Sequence, residues 1–421
     1  MRGAAPHCLE VNLSFDRRRF LLTGAAGLAA ASAARLHALA ADADLGPADL
    51  PGGTLQASVL EALPGKVALI KKTWRPPNFE TPVSYFNEAF TPNDAFFVRY
   101  HLAGIPEIAP QDWRLRVGGD AAEKPYELTL AQLRSEFEAV EVNAVCQCSG
   151  NRRGLSSPHV AGVQWGYGAM GNARWKGARL KDVLARAGLR KEAVEIVLDG
   201  ADSAVLAKTP DFVKSIPVWK GVDDSVLLAY EMNGEVLPHW NGYPVRLIVP
   251  GWTATYWMKH ITSIEAVTQP FKGFWMAPAY RIPKGKFAVV DRFLTQEADT
   301  TTPITEMVVN SLITNLSPHQ RFAAGQTIEV KGVAWDGGFG ITAVLVSQDD
   351  GKSWRPAQLG PDLGRFAWRQ WRYVIPAARP GTYTIMANAT NRIGASQTFE
   401  LNFNPAGYHN NVVQRIDIQV A

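Results

Sequence analysis

The sequence predicts an α+β protein in two parts: a mixed α/β body with an N-terminal arm over residues 41–295, then an all-β sandwich of immunoglobulin-like type over residues 296–421. Three observations carry that prediction. Between Phe96 and about Gln269, strand-like alternation is interspersed with helical apolar spacing. Beyond about Thr300, short alternating runs recur at regular intervals without a convincing helix. Residues 1–40 read as a leader that belongs to neither part.

The leader comes first. Arg17-Arg18-Arg19-Phe20-Leu21-Leu22 is a twin-arginine pattern, followed by a weakly apolar Ala/Gly/Leu stretch to about Ala34 and a small-residue cleavage site at Ala38-Leu39-Ala40. The run is too short and too small-residued to span a bilayer stably. It predicts export to the periplasm of a chain that is already folded, which suits a protein that takes up a cofactor in the cytoplasm. Its removal takes away five arginines (Arg2, Arg17, Arg18, Arg19, Arg35) and two acids (Glu10, Asp16), so the formal charge falls from +4 to +1. A near-neutral chain without a basic tract argues against nucleic acid and membrane as partners.

Residues 41–95, rich in Pro and Gly, read as an arm with local strands. Trp113–Val117 alternates like a strand, and Thr129 caps a helix that carries Leu130, Leu133 and Phe137 on one face. Val140–Val145 is a strand running into a cysteine segment. Leu180, Val183, Leu184 and Ala187 form a second amphipathic helix, stopped by Gly188, and Val194–Leu198 is a short apolar strand. In the last part, Ile328–Trp335, Thr342–Ser347, Trp368–Ile375, Thr382–Ala389 and Thr398–Phe403 are the predicted strands. Sandwiches of this kind are usually structural or interaction modules, so no chemistry is expected there.

The chemistry concentrates in three segments. Phe96–Leu102 is read as an extended strand, in which Arg99 and His101 project to one face. In Cys146-Gln147-Cys148-Ser149-Gly150-Asn151-Arg152-Arg153-Gly154, a thiol is followed by glycines that permit close backbone approach and by two guanidinium forks suited to anions. The two cysteines sit near the upper limit of disulfide reach, and an unpaired thiol in an oxidising compartment invites metal ligation as one explanation. The third segment, Leu237–Arg246 with Val249–Trp252 and Met258-Lys259, is punctuated by Pro and Gly and adds the cations Arg246 and Lys259. No Cys-x-x-Cys-His motif, dinucleotide Gly-x-Gly-x-x-Gly or phosphate loop occurs, so a redox role calls for a second redox partner on another polypeptide.

Together these segments resemble the sulfite oxidase family of molybdenum enzymes, and within it the bacterial periplasmic sulfite dehydrogenases. The likeness rests on Cys148-x-Gly150-Asn151-Arg152-Arg153, Arg99-x-His101-Leu102, Leu227–Gly234 and Gly242-x-Pro244-x-Arg246. It implies a molybdopterin-binding domain of the sulfite oxidase fold, with one molybdenum held by the dithiolene of a single pyranopterin and by one thiolate, Cys148. It further implies Arg99, Arg153 and Tyr280 as catalytic residues, and His101, Asp202, Asn241, Arg246 and Lys259 as cofactor-binding ones. Asn241 departs from the family pattern, where many members place a histidine, and His239 is the residue nearby that could substitute. The implied reaction is oxidation of sulfite to sulfate, with electrons passed singly to a c-type cytochrome, either a bound subunit or a soluble protein. A homodimer and a heterodimer with the cytochrome both stay open. Two other readings stand beside it. One is a periplasmic reductase of the methionine-sulfoxide type, against which Arg99, Arg153 and residues 300–421 argue. The other is a non-catalytic oxyanion-binding protein.

Overall fold

A computed structural model describes residues 59–285 and 300–421; the twin-arginine segment and the first part of the arm lie outside the described residues. Where the arm is described, its strands Val59–Ala62, Ala68–Thr73 and Asn78–Glu80 join Val98–Arg99 in a four-stranded antiparallel sheet. The predicted Phe96–Leu102 strand is thus only two residues long. Arg99 nevertheless leaves the sheet edge beside Asn78, which its Nη1 contacts at 3.2 Å.

Two five-stranded sheets make the body. One runs Lys214–Pro217, Glu195–Gly200, Ile261–Val267, Arg114–Gly118, Tyr126–Thr129, with one parallel pair between Ile261–Val267 and Arg114–Gly118. The other places Ala139–Gln147 against Met170–Arg179, then Leu227–Met232, which also pairs with Glu235–Val236 and Arg246–Ile248. Alternation decides which faces are buried: in Arg114–Gly118, Leu115 and Val117 point inward while Arg114 and Arg116 stay exposed. The helices are short. Leu130–Ser135 starts on a complete capping box, Thr129 accepting from Gln132 N while the Gln132 side chain accepts from Thr129 N. Leu180–Ala187 buries Leu180, Val183, Leu184 and Ala187 and ends at Gly188, whose φ of 68° suits glycine.

Beyond residue 300 the described residues contain strands and no helix. Asn310–Ile313, Ile328–Trp335, Arg369–Ile375 and Gln358–Leu359 form one sheet; Arg321–Phe322, Gln414–Val420, Gly381–Asn391, Ile341–Ser347 and Arg355–Pro356 form the other. Val330, Trp371 and Ile375 from the first sheet share one apolar cluster with Val344, Ile385 and Ile416 from the second. The expected strand at Thr398–Phe403 is absent. Its Phe399 is exposed, and Thr398 makes only an isolated bridge to Val412. The sheet position is taken instead by Gln414–Val420, whose own alternation is complete.

The sandwich is not a detached module: the described residues of body and sandwich fall in one compact unit. Phe86, Val145, Tyr167 and Met170 of the body pack into a single cluster with Met307, Leu312, Val333, Trp335 and Trp368. Val145 N also donates to Phe366 O at 2.9 Å, and Trp335 Nε1 to Gln147 Oε1 at 2.5 Å. Among the described residues, no helix is long and apolar enough to cross a membrane.

Candidate active site

Ala139–Gln147 delivers its next residue, Cys148, into a tight turn. Cys148 N donates to Ala169 O at 2.9 Å, Asn151 N returns to Cys148 O at 3.0 Å, and Arg152 adopts φ 67°. The backbone is therefore fixed on both sides of the thiol. Cys148 reaches a cleft that is also lined by Arg99, His101, Asn241, Arg246, Lys259 and Tyr280. Residues distant in sequence thus converge on one cleft.

At one end, Tyr280 Oη is bonded to His101 Nε2 and lies 3.5 Å from Arg99 Nη2. His101 stacks on Phe212 at 3.6 Å, which fixes its ring. Burial, reinforced by Arg99, pushes the His101 pKa well below the ordinary histidine value, so the ring is neutral. Burial raises the Tyr280 pKa against the opposing pull of Arg99, so its hydroxyl keeps its proton. At the other end, burial and the Arg246 charge push Lys259 down to about 7. Among the described residues Lys259 has no hydrogen-bond acceptor; its Nζ rests 4.3 Å from the Tyr100 ring centre. Arg246 Nη1 donates to Asn241 O at 3.2 Å and Nη2 to Cys146 Sγ at 3.3 Å, which gives the second cysteine a place. Cys146 is fully buried, and burial raises its pKa, so it is a neutral thiol that supports Arg246.

The remaining expected residues are placed differently. Arg153 does not line the cleft: its Nε donates to Ala406 O at 2.7 Å, its Nη1 to Val163 O at 3.2 Å, and its guanidinium covers the Tyr408 ring. Arg152 turns both terminal nitrogens to the C-terminal part, Nη1 donating to Val412 O at 2.9 Å and Nη2 to Ser311 O at 2.6 Å. Gly150 makes room for the Arg153 guanidinium and Gly154 for the Trp165 carbonyl, rather than for a ligand. Asp202 is buried outside the cleft lining; burial raises its pKa and Lys259 opposes the rise. Asn241 lines the cleft, but its amide is spent on Lys66 Nζ at 2.6 Å and Phe97 O at 3.1 Å. His239 packs beside Trp240 and His260 and lines no part of the cleft.

Several contributors were missed. Ser149, Thr255, Trp257, Phe212 and Trp240 also form the walls, and Lys66 of the arm supports Asn241 behind them. Tyr408 of the C-terminal part, where no chemistry was expected, stacks on Tyr280 from outside the cleft lining. Its one visible signal is a polar run, Asn402-Phe403-Asn404-Pro405-Ala406-Gly407-Tyr408-His409-Asn410-Asn411, that breaks the apolar alternation.

Residues 101–275 match the family model for the oxidoreductase molybdopterin binding domain, and residues 301–421 that for the Mo-co oxidoreductase dimerisation domain. The chain is 36% identical to sulfite oxidase of Gallus gallus over 330 residues, 75% of this chain and 70% of that protein. It is 35% identical to the mitochondrial sulfite oxidase of Homo sapiens over 73% of this chain, spanning 57% of that protein's length. The crystal structure of the sulfane dehydrogenase SoxCD from Paracoccus pantotrophus superposes with a TM-score of 0.71 at 26% identity, covering 89% of this chain and 92% of that one.

These likenesses imply a molybdenum–pyranopterin cofactor, and the cleft fits it. Among the described residues, no group of three or more His, Cys, Asp or Glu gathers, a setting compatible with a metal at Cys148 that brings most of its own ligands, as a dithiolene does. His101 Nδ1, Ser149 Oγ, Arg246 Nε and Thr255 Oγ1 are buried on the cleft walls without a partner, each costing about 1–3 kcal/mol if left so. Lys259 and Arg246 stand close together without a carboxylate in the lining, which calls for an anion such as the pterin phosphate. With the matched models, the identity to the animal enzymes and this donor set all agreeing, the chain belongs to the sulfite oxidase family of molybdopterin oxidoreductases.

Proposed function

We propose that this protein oxidises sulfite to sulfate in the periplasm, after twin-arginine export, and passes the electrons one at a time to a c-type cytochrome. The carrying observation is the grouping of Arg99, His101 and Tyr280 around one point beside Cys148, in a cleft whose lining contains no carboxylate. When bound, the molybdenum–pyranopterin group supplies oxygen-atom transfer and a two-electron sink, with Cys148 as its protein ligand and Arg246 and Lys259 on its phosphate. Overall, sulfite and water give sulfate, two electrons and two protons.

The residues supply placement and charge. Arg99 offers its guanidinium to the sulfite oxygens; Asn78 and Tyr100 O hold its Nη1, and the Tyr280 contact on Nη2 sets the angle of approach. Tyr280 remains a hydroxyl and donates a hydrogen bond to the anion without adding negative charge. Neutral His101 holds that hydroxyl in place and adds no cation that would retain the sulfate product. Phe212, Trp240 and Trp257 keep bulk water from these donors, which strengthens each contact.

The test is the molybdenum-loaded protein, sulfite and a c-type cytochrome, read as haem reduction. Turnover is expected, lost in Cys148→Ser with the fold retained, while Arg99→Met raises the KM for sulfite about tenfold or more at unchanged molybdenum content. A loaded protein that reduces no cytochrome with sulfite sinks the proposal. A second reading follows from the withdrawal of Arg153 from the cleft, which leaves less positive charge for a doubly charged anion. A less charged sulfur substrate of the sulfane kind, named for the Paracoccus pantotrophus structure, is the alternative that this favours. Running the same assay with a persulfide decides between them.

A further inference from the structure

We propose that Tyr408, carried into the site by the C-terminal β part, is a positioning residue for Tyr280, and that Arg153 anchors the loop that delivers it. The inference rests on the reading of Tyr280 as a group that touches substrate.

Tyr280 sits at φ 58°, a left-handed conformation that a bulky residue holds only when its surroundings impose it. The Tyr408 ring lies 5.6 Å from it at an interplanar angle of 12°, an offset stack. The Lys214 Nζ, 5.0 Å from the ring centre, and Trp275, 6.1 Å away and tilted, complete the enclosure. With the ring so held, its hydroxyl meets His101 and Arg99 together.

The delivering loop is built for close approach. Gly407 has φ 61°, and a Cβ there would lie 2.5 Å from Val160 Cγ2 and 2.9 Å from Arg153 Cγ. Only glycine lets the backbone rest on the arginine stem. Arg153 Nε then bonds Ala406 O at 2.7 Å while its guanidinium lies 5.3 Å from the Tyr408 ring centre. Asn404 closes the loop on itself, accepting from Tyr408 N at 3.0 Å and donating to Tyr408 O at 2.7 Å. Next door, Asn410 Nδ2 donates to Arg152 O at 3.1 Å. The arginine pair thus acts on the site through the loop it holds.

The experiment is a double-mutant cycle on the holoenzyme. Tyr408→Ala is expected to lower kcat/KM for sulfite about tenfold at constant molybdenum content, and Tyr408→Phe, which keeps the stacking ring, to restore it to within about twofold. In a Tyr280→Phe background, Tyr408→Ala should add no further loss, because the hydroxyl it positions is already gone. An equal loss in both backgrounds overturns the inference, as does a Tyr408→Ala enzyme with unchanged kcat/KM. Tyr408→Leu serves the same cycle if the alanine variant does not fold. A direct readout needs no turnover: 3-fluorotyrosine at position 280 should give one narrow 19F line in the parent and in Tyr408→Phe, and a broadened or multiple signal in Tyr408→Ala. An equally narrow single line in the alanine variant overturns the inference. A parent enzyme inactive on sulfite overturns the proposed function instead, and leaves the 19F result to decide this one.

Discussion

His260 has both ring nitrogens committed inside the body, Nε2 to Tyr100 Oη at 2.7 Å and Nδ1 to Tyr243 O at 2.6 Å. The carbonyl can only accept, so Nδ1 carries a proton, and in the neutral ring Nε2 accepts from the phenol. Burial, with Lys259 nearby, pushes its pKa down to about 3. The unfolded chain takes up this proton near the ordinary histidine value of about 6.5 and the folded chain does not until far lower. The contribution is therefore fully present above about pH 6.5 and is lost as pH falls toward 3; between pH 7 and pH 5 the loss is about 2 kcal/mol. Burial lowers His409 in the same direction, to about 4, so the parent slope contains more than one ring. The difference between parent and His260→Gln isolates this one. Denaturant unfolding at pH 7 and pH 5 should find the variant weaker at pH 7 yet less sensitive to acid. Identical pH sensitivity in the two proteins would refute the assignment.

At the scale of elements, Arg152 does what a strand pair does elsewhere. Its guanidinium spans Ser311 O and Val412 O while its own carbonyl accepts from Asn410, so one turn after Ala139–Gln147 grips two separate segments of the sandwich. Arg152→Met should cost about 2–3 kcal/mol, since it leaves one buried and one half-buried carbonyl unpaired, and Arg152→Lys should recover little, because a single ammonium lacks the rigid fork. Unfolding midpoints decide it: a loss below about 1 kcal/mol in the methionine variant would refute the staple. The same turn shows what the sequence discloses. Spacing and composition located the thiol at a strand end, the helix stop at Gly188 and the Thr129 cap, because those features are local. They also placed Arg99, His101, Arg246 and Lys259 in one site, with the family likeness supplying the long-range pairing. They failed where a residue's partner lies hundreds of positions away. Arg152 and Arg153 looked like anion forks because nothing nearby reveals that carbonyls at 311, 406 and 412 will reach them first. The alternation at Thr398–Phe403 misled for a related reason: a strand needs a neighbour as well as a pattern, and Gln414–Val420 holds the place beside Gly381–Asn391.

For the whole molecule, the question is whether the sandwich can be separated from the body that carries Cys148. Its regular strands suggest an interchangeable module, yet the packing makes it a wall of the body. Removing residues 300–421 would uncover Phe86, Val145, Tyr167 and Met170, four apolar side chains that are at most 5% exposed in the whole protein. Fully burying a large apolar side chain contributes about 1.5–3 kcal/mol, so the loss across the group is comparable to the total stability of an ordinary domain. The cut would also free Arg152 and Arg153 from their acceptors and strip Tyr408 from Tyr280. A chain ending before residue 300 is therefore expected to yield little soluble protein and no stoichiometric molybdenum, whereas the full chain prepared in parallel is soluble and loaded. Soluble yield and metal analysis on the two preparations check this. A truncated protein that is soluble and fully loaded would show that the body folds alone, and that the sandwich acts only from outside it.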